Sequence, residues 1–144
     1  MTGPFVHRYR VTYADCTIGN HIYYSRYLDL LELARGEFLR SLGQPLLKWQ
    51  EEGVAFPVIE ARLQYRRGAR YDELLDIEVR LTALKGVRLN FAYTIRDGQN
   101  RTVLEAETFH ACADVSEKPR RLPPALVNAL QPWLNPNGDR SPGS

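Results

Sequence analysis

Within ten positions the chain gathers Asp15, Thr17, Asn20, His21, Tyr23 and Tyr24. Together these side chains hold what a proton-transfer site or a carbonyl-activating site needs. A carboxylate such as Asp15 is either a general base or nucleophile, or a brace that accepts backbone N–H bonds, and bracing is the commoner use in a loop. Thr17 offers a hydroxyl that orients water but is a poor nucleophile without a base. His21 is its nearest partner, since an imidazole titrates near neutral pH, although a single loop histidine more often only hydrogen-bonds or faces solvent. Asn20 either donates to a carbonyl or holds a left-handed turn. Where a helix follows, the N–H of Tyr24 or a neighbour would face outward unpaired, a donor for developing negative charge.

The flanking elements must hold this loop in place. Phe5, His7, Tyr9, Val11 and Tyr13 alternate with Arg8, Arg10 and Thr12, predicting a strand over 6–14. Asp, Thr, Gly and Asn then favour a loop over 15–21. Tyr27, Leu31, Ala34 and Phe38 recur at helical spacing over 25–42, with Ser25 as N-cap and Gly43 and Pro45 as the stop. Leu28, Leu30, Leu33 and Leu39 widen the apolar stripe, so this helix needs broad cover.

A possible short helix over 45–53 leads into four amphipathic strands. They are centred on Ile59–Tyr65, Leu75–Leu81, Leu89–Ile95 and a longer stretch over 102–115, with turns at Lys85-Gly86 and Asp97-Gly98. The last strand carries apolar and polar residues on both faces, which suits a position inside the sheet. Pro123 and Pro124 open a terminal helix to about Leu130. Residues 1–134 form one domain in this reading, and 135–144 a frayed tail. One long apolar helix after the first strand, followed by meandering antiparallel strands, predicts an α+β domain whose sheet curls around the helix.

Composition narrows the function. The 144 residues are 44% hydrophobic and 25% charged with a net charge of +2, close to an average soluble domain and far from the dense positive field of a nucleic-acid binder. No apolar run is long enough for a membrane span, and the start lacks a signal-peptide core, so a cytoplasmic protein is expected. Cys16 and Cys112 are isolated, without the spacing of a zinc site or a disulfide framework. His7 and His110 lie within strands and read as packing residues.

The stretch Tyr13-Ala14-Asp15-Cys16-Thr17-Ile18-Gly19-Asn20-His21-Ile22-Tyr23-Tyr24-Ser25-Arg26-Tyr27-Leu28 resembles the signature of hotdog-fold acyl-CoA thioesterases of the 4-hydroxybenzoyl-CoA thioesterase type. Later landmarks follow in the family's order: Ala34-Arg35 with Glu37, Tyr65 to Asp72, Lys85-Gly86, and Lys118-Pro119-Arg120 with Leu122-Pro123. The likeness spans about Arg8 to Leu130. Aligned on Tyr27-Leu28, the family's catalytic second Asp falls on Thr17, and Asp15 falls on the first, usually non-catalytic, one. Hotdog thioesterases of enediyne pathways also resemble the Gly19-Asn20-His21-Ile22-Tyr23-Tyr24 run and lack an acid there.

The resemblance implies a hotdog fold, with a curved antiparallel sheet of about five strands wrapped around one long central helix. It implies hydrolysis of an acyl-CoA or acyl-carrier-protein thioester, no metal or redox cofactor, and a homodimer or homotetramer with sites at the subunit interface. The catalytic candidates are then Asp15, Thr17, His21 and the Tyr24 N–H, with Asn20 and Tyr23 contacting substrate. For the coenzyme A phosphates, Lys85, Arg88 and Arg120 are the candidate cations, with Lys118 and Arg121 beside them and Arg66, Arg67 and Arg70 as a second cluster. Glu32 is a reserve acid on the helix, although pairing with Arg35 is the more economical reading. A binder that kept the pocket but not the chemistry, or a pure scaffold, are the competing classes.

Overall fold

The computed structural model describes residues 4–138. Five strands form one antiparallel sheet: β1 (Phe5–Arg10), β2 (Val58–Tyr65), β3 (Leu74–Lys85), β4 (Arg88–Arg96) and β5 (Thr102–Ala111). The helices are α1 (Arg26–Ser41), α2 (Leu46–Glu51) and α3 (Pro124–Leu130), with 3-10 turns at Tyr13–Asp15 and Gln131–Trp133.

The spatial order is β1-β3-β4-β5-β2. The expected meander is therefore corrected at one place. β3, β4 and β5 pair in sequence, but β2 crosses to the far edge and pairs with β5, while β1 takes the open side of β3. Alternation tells a strand which faces it presents and nothing about its neighbour. β5, with its mixed faces, lies inside the sheet between β4 and β2.

Two strands end earlier than predicted. β1 stops at Arg10 rather than near Ala14, because the Asp15 carboxylate accepts the Thr12 N–H at 2.8 Å and draws the chain into the 3-10 turn. β5 stops at Ala111, and Ala113 instead bridges Ala55. The Asp97-Gly98 turn is longer than a two-residue hairpin. Asp97 Oδ1 accepts the N–H groups of Gln99 and Arg101, both at 2.9 Å, and Asn100 takes the left-handed conformation.

Helix α1 lies on one face of the sheet. Leu30, Leu31, Ala34 and Phe38 are buried, and Phe38 meets Phe5 of β1 and Phe91 of β4 with ring centroids 5.3 and 6.4 Å apart. Full burial of each such side chain stabilises by roughly 1.5–3 kcal/mol. Two expected burials do not occur: Leu28 and Leu33 on α1 stay exposed, as does nearly all of β2, where Ile59 is 59% and Tyr65 50% exposed. Among the described residues nothing else packs over that side. At the C-terminal end Leu134 bridges Leu81 and the Asn135 N–H donates to the Leu81 carbonyl, while residues 139–144 of the expected tail lie outside the described residues.

Candidate active site

The loop between β1 and α1 is built around one carboxylate. Asp15 is buried, and four donors converge on its two oxygens. Arg26 reaches Oδ1 through Nη2 at 2.7 Å and Nε at 3.3 Å; the Tyr9 hydroxyl and Thr12 N–H reach Oδ2 at 2.7 and 2.8 Å. Burial by itself would raise the Asp15 pKa, but the bonds from Arg26, Tyr9 and Thr12 outweigh it and hold the carboxyl below its ordinary value. These donors occupy the accepting positions of Asp15 and tie the end of β1 and its 3-10 turn to the start of α1.

A second hairpin hangs from this brace. Cys16 bridges Ile22, the Thr17 N–H donates to the His21 carbonyl at 2.8 Å, and Asn20 closes the turn with φ of 63°. Asn20 Oδ1 also accepts the Tyr71 N–H at 3.3 Å, so the amide is tied to the neighbouring loop. The Thr17 hydroxyl faces the His21 carbonyl at 3.4 Å and makes no bond to the imidazole among the described residues. The His21 ring instead lies against Gly68, where a Cβ would come within 2.6 Å of the ring. Glycine is required there by that close approach.

The chain then enters α1. The Tyr23 N–H donates to the Asp15 carbonyl at 3.0 Å and the Arg26 N–H to the Tyr23 carbonyl at 2.9 Å, while the Tyr24 N–H has no acceptor among the described residues. Tyr24 is 61% exposed, its ring 4.6 Å from that of Tyr23, and its carbonyl accepts the Tyr65 hydroxyl at 3.2 Å. Tyr24 lies just before the N-cap Ser25, where an unpaired N–H beside a helix start is available to an incoming acceptor.

The three predicted phosphate ligands are together, but not here. Lys85 and Arg88 face each other across the β3–β4 turn, and Arg120 joins them because its N–H donates to Cys112 and the Leu122 N–H to Gly86. The loop lies at the Leu74 end of β3, and eleven residues of strand separate the two ends by about 36 Å.

Sequence reading missed two features. One is Arg26, since a cation in a first helical turn opposes the helix dipole and signals a carboxylate partner. The second is a buried polar chain under α1. Arg35 approaches the Tyr93 hydroxyl at 3.4 Å, Tyr93 lies 2.6 Å from Thr108, and His110 spans Thr108 and the Phe56 carbonyl, both at 2.9 Å. His110 is therefore more than a packing residue. Its signal was two polar side chains, Thr108 and His110, on the face shared by Leu104 and Ala106. The expected Glu32–Arg35 pair does not form: Glu32 is exposed and no carboxylate of the described residues lies within ion-pair distance of Arg35.

Among the described residues no helix is long and apolar enough to cross a membrane, and no cluster of His, Cys, Asp or Glu could hold a metal.

Residues 11–130 match the family model of the thioesterase-like superfamily. The chain is 34% identical over 119 residues to the acyl-CoA thioester hydrolase YbgC of Escherichia coli, covering 82% of this chain and 89% of that one. Among solved structures, a hypothetical protein of Thermus thermophilus superposes with a TM-score of 0.83 at 33% identity, over 89% of this chain and 98% of that one. A 1,4-dihydroxy-2-naphthoyl-CoA thioesterase from Synechocystis shares the fold, with a TM-score of 0.84 at 22% identity over 90% and 96% of the two chains.

Proposed function

The chain belongs to the thioesterase-like superfamily, and from that premise we propose that it hydrolyses acyl-CoA thioesters at the loop between β1 and α1. The observation that carries the placement is the Tyr24 N–H, unpaired at the start of α1 on a loop braced by Asp15. A thioester carbonyl resting on this donor is polarised, and the tetrahedral oxyanion formed by attack of water is stabilised where it arises. Collapse of that intermediate breaks the C–S bond, releasing free acid and a coenzyme A thiolate that takes up the proton lost by the water.

In this reading Asp15 and Asn20 are positioning residues, His21 receives the proton from water, the Thr17 hydroxyl orients that water, and Tyr23 and Tyr24 flank the acyl entrance. The carboxylate that the family carries at position 17 is replaced here by donor strength and positioning, which are worth several kcal/mol of barrier in enzymes generally.

The full site needs a second copy. We take residues 1–134 as one hotdog unit, its sheet curved around α1, and β2 as the seam of a homodimer that can pair again into a tetramer. The exposed edge of β2, with Ile59 and Tyr65 bare and Leu28 and Leu33 open beside it, supports this reading. Two-fold antiparallel pairing across β2 reverses the strand, so the Val58 end of the partner meets the Tyr65 end of this protomer. That brings the Lys85, Arg88 and Arg120 end of one protomer beside the loop of the other, where the cations can take coenzyme A phosphates. We place the protein in the cytoplasm, in keeping with two unpaired cysteines and a coenzyme A substrate.

The test is release of free coenzyme A thiol from a panel of aromatic and aliphatic acyl-CoA esters, against heat-denatured protein. Turnover is expected. Saturable binding without release would replace the hydrolase by a binder, and neither would overturn both.

A further inference from the structure

A cavity of about 320 Å³ lies between α1, α2, β4 and β5, away from the braced loop of the same protomer. Its walls are apolar, formed by Leu39, Leu46, Val54, Phe56, Leu89 and Phe91, and it falls at the small end of the ~300–1,000 Å³ range of ligand pockets. Arg35 and His110 both line it.

The hydrogen bonds behind the cavity have a fixed direction. The Phe56 carbonyl only accepts, so His110 Nδ1 must carry the proton and donate to it at 2.9 Å. Burial pushes the His110 pKa down to about 4, so the ring is neutral near pH 7 and Nε2 is bare. Nε2 therefore accepts from the Thr108 hydroxyl, whose oxygen accepts from Tyr93, whose oxygen faces Arg35. Each hydroxyl proton and the ring proton are committed toward Phe56. Arg35 stands at the head of the chain with one long contact of 3.4 Å and no carboxylate of the described residues within ion-pair distance. Glu32 shares the rim but is exposed. Arg35 is partly exposed at the edge of these apolar walls and is paired with no carboxylate of the described residues, which leaves its guanidinium open to an anion entering the cavity.

We propose that this cavity receives the far end of an acyl group bearing a terminal carboxylate, read by Arg35, so that the preferred substrates are monothioesters of dicarboxylic acids. The proposal rests on the thioesterase reading for its substrate, but the cavity's preference can be measured without turnover. Arg26, the first residue of α1, and Arg35 are about 13.5 Å apart along the helix, with Tyr24 two residues before it, so an acyl chain lying along that helix from Tyr24 must be of medium length to reach the guanidinium.

Two measurements separate the claims. The first compares kcat/KM for ω-carboxyacyl-CoA and unsubstituted acyl-CoA esters of equal length, with wild type, Arg35→Met and Arg35→Gln. The second measures calorimetric binding of the corresponding non-hydrolysable S-alkyl and S-(ω-carboxyalkyl) coenzyme A thioethers. A preference of about tenfold or more for the carboxylated ligand is expected in wild type, from one charge-assisted pair, and its loss in Arg35→Met. Arg35→Gln should fold as wild type and retain a smaller preference. Thioethers discriminated by wild type without ester turnover would sink the thioesterase reading and leave the carboxylate site standing. Ester turnover with no carboxylate preference, a preference unchanged in both variants, or no thioether binding would each overturn the site.

Discussion

Arg26 and Asp15 form an ion pair that is half in water and half in the core: Nη2 lies 2.7 Å from Oδ1, with the Arg26 side chain 41% exposed and that of Asp15 fully buried. The arginine is the first residue of α1 and the aspartate the last of the 3-10 turn, so one bond joins the two ends of the loop that presents Tyr24. The pair fixes position.

Substituting Asp15→Asn keeps the shape but removes the charge that four donors converge on. A loss of about 1.5–3 kcal/mol in stability is expected, the scale of hydrogen bonds to a charged group, visible as a lower melting temperature. At temperatures where the variant is fully folded, thioester hydrolysis should persist. A folded Asp15→Asn protein with no turnover would make the carboxylate a direct participant in the reaction.

Removing the Tyr24 N–H tests the oxyanion donor directly. Tyr24→Pro deletes a hydrogen that has no acceptor among the described residues, so little folding energy is lost with it, while Tyr24→Ala keeps the N–H and drops the phenol. The proline variant should lose about 10²–10³ in kcat and the alanine variant far less. Equal losses in two folded variants would move the electrophilic site elsewhere.

Acid should destabilise the protein in two windows. The buried His110 has a folded pKa of about 4, below its unfolded value of 6.5, so the unfolded chain binds the extra proton first. Its contribution is complete above about pH 6.5 and is lost as pH falls toward 4, on the order of 3 kcal/mol in all. Asp15 and Asp97, also depressed, add losses only below about pH 4, where the unfolded carboxylates begin to protonate. Urea midpoints measured from pH 7.5 to 4.5 should fall in wild type and stay flatter in His110→Gln. Parallel curves would show that His110 is not the titrating group.

The exposed edge of β2 makes a prediction about mass. Light scattering should give a multiple of the 16.5 kDa chain, and Ile59→Lys, a charge on that bare edge, should shift the protein to the single-chain mass and remove hydrolysis with it. A wild-type monomer with full activity would end the shared-site reading.

Much of this was legible in local pattern. Helical spacing from Tyr27 to Phe38 gave α1 nearly to the residue, and period-two alternation located β3 and β4, because burial of one face imposes those periods whatever the partner is. The positive φ at Asn20 and Gly86 followed from residue types that tolerate it. Pairing was not legible: β2 lies beside β5 and not β3, since a strand's face pattern is the same for any neighbour. Nor was the role of Asp15. Residue type and loop position allowed a base or a brace, and only the tertiary structure brings Tyr9, Thr12 and Arg26 together on one buried carboxylate. The chain running from Arg35 through Tyr93 and Thr108 to His110 joins α1, β4 and β5. Its members span 75 positions in sequence, from 35 to 110, and its direction depends on a carbonyl, that of Phe56, which no side-chain pattern reports. What this sequence determined by itself is which residues turn inward and where the chain must bend, for those are local consequences of side-chain type. Which distant polar groups meet only the tertiary structure decided, because strand pairing and helix packing set which of them come within hydrogen-bond reach.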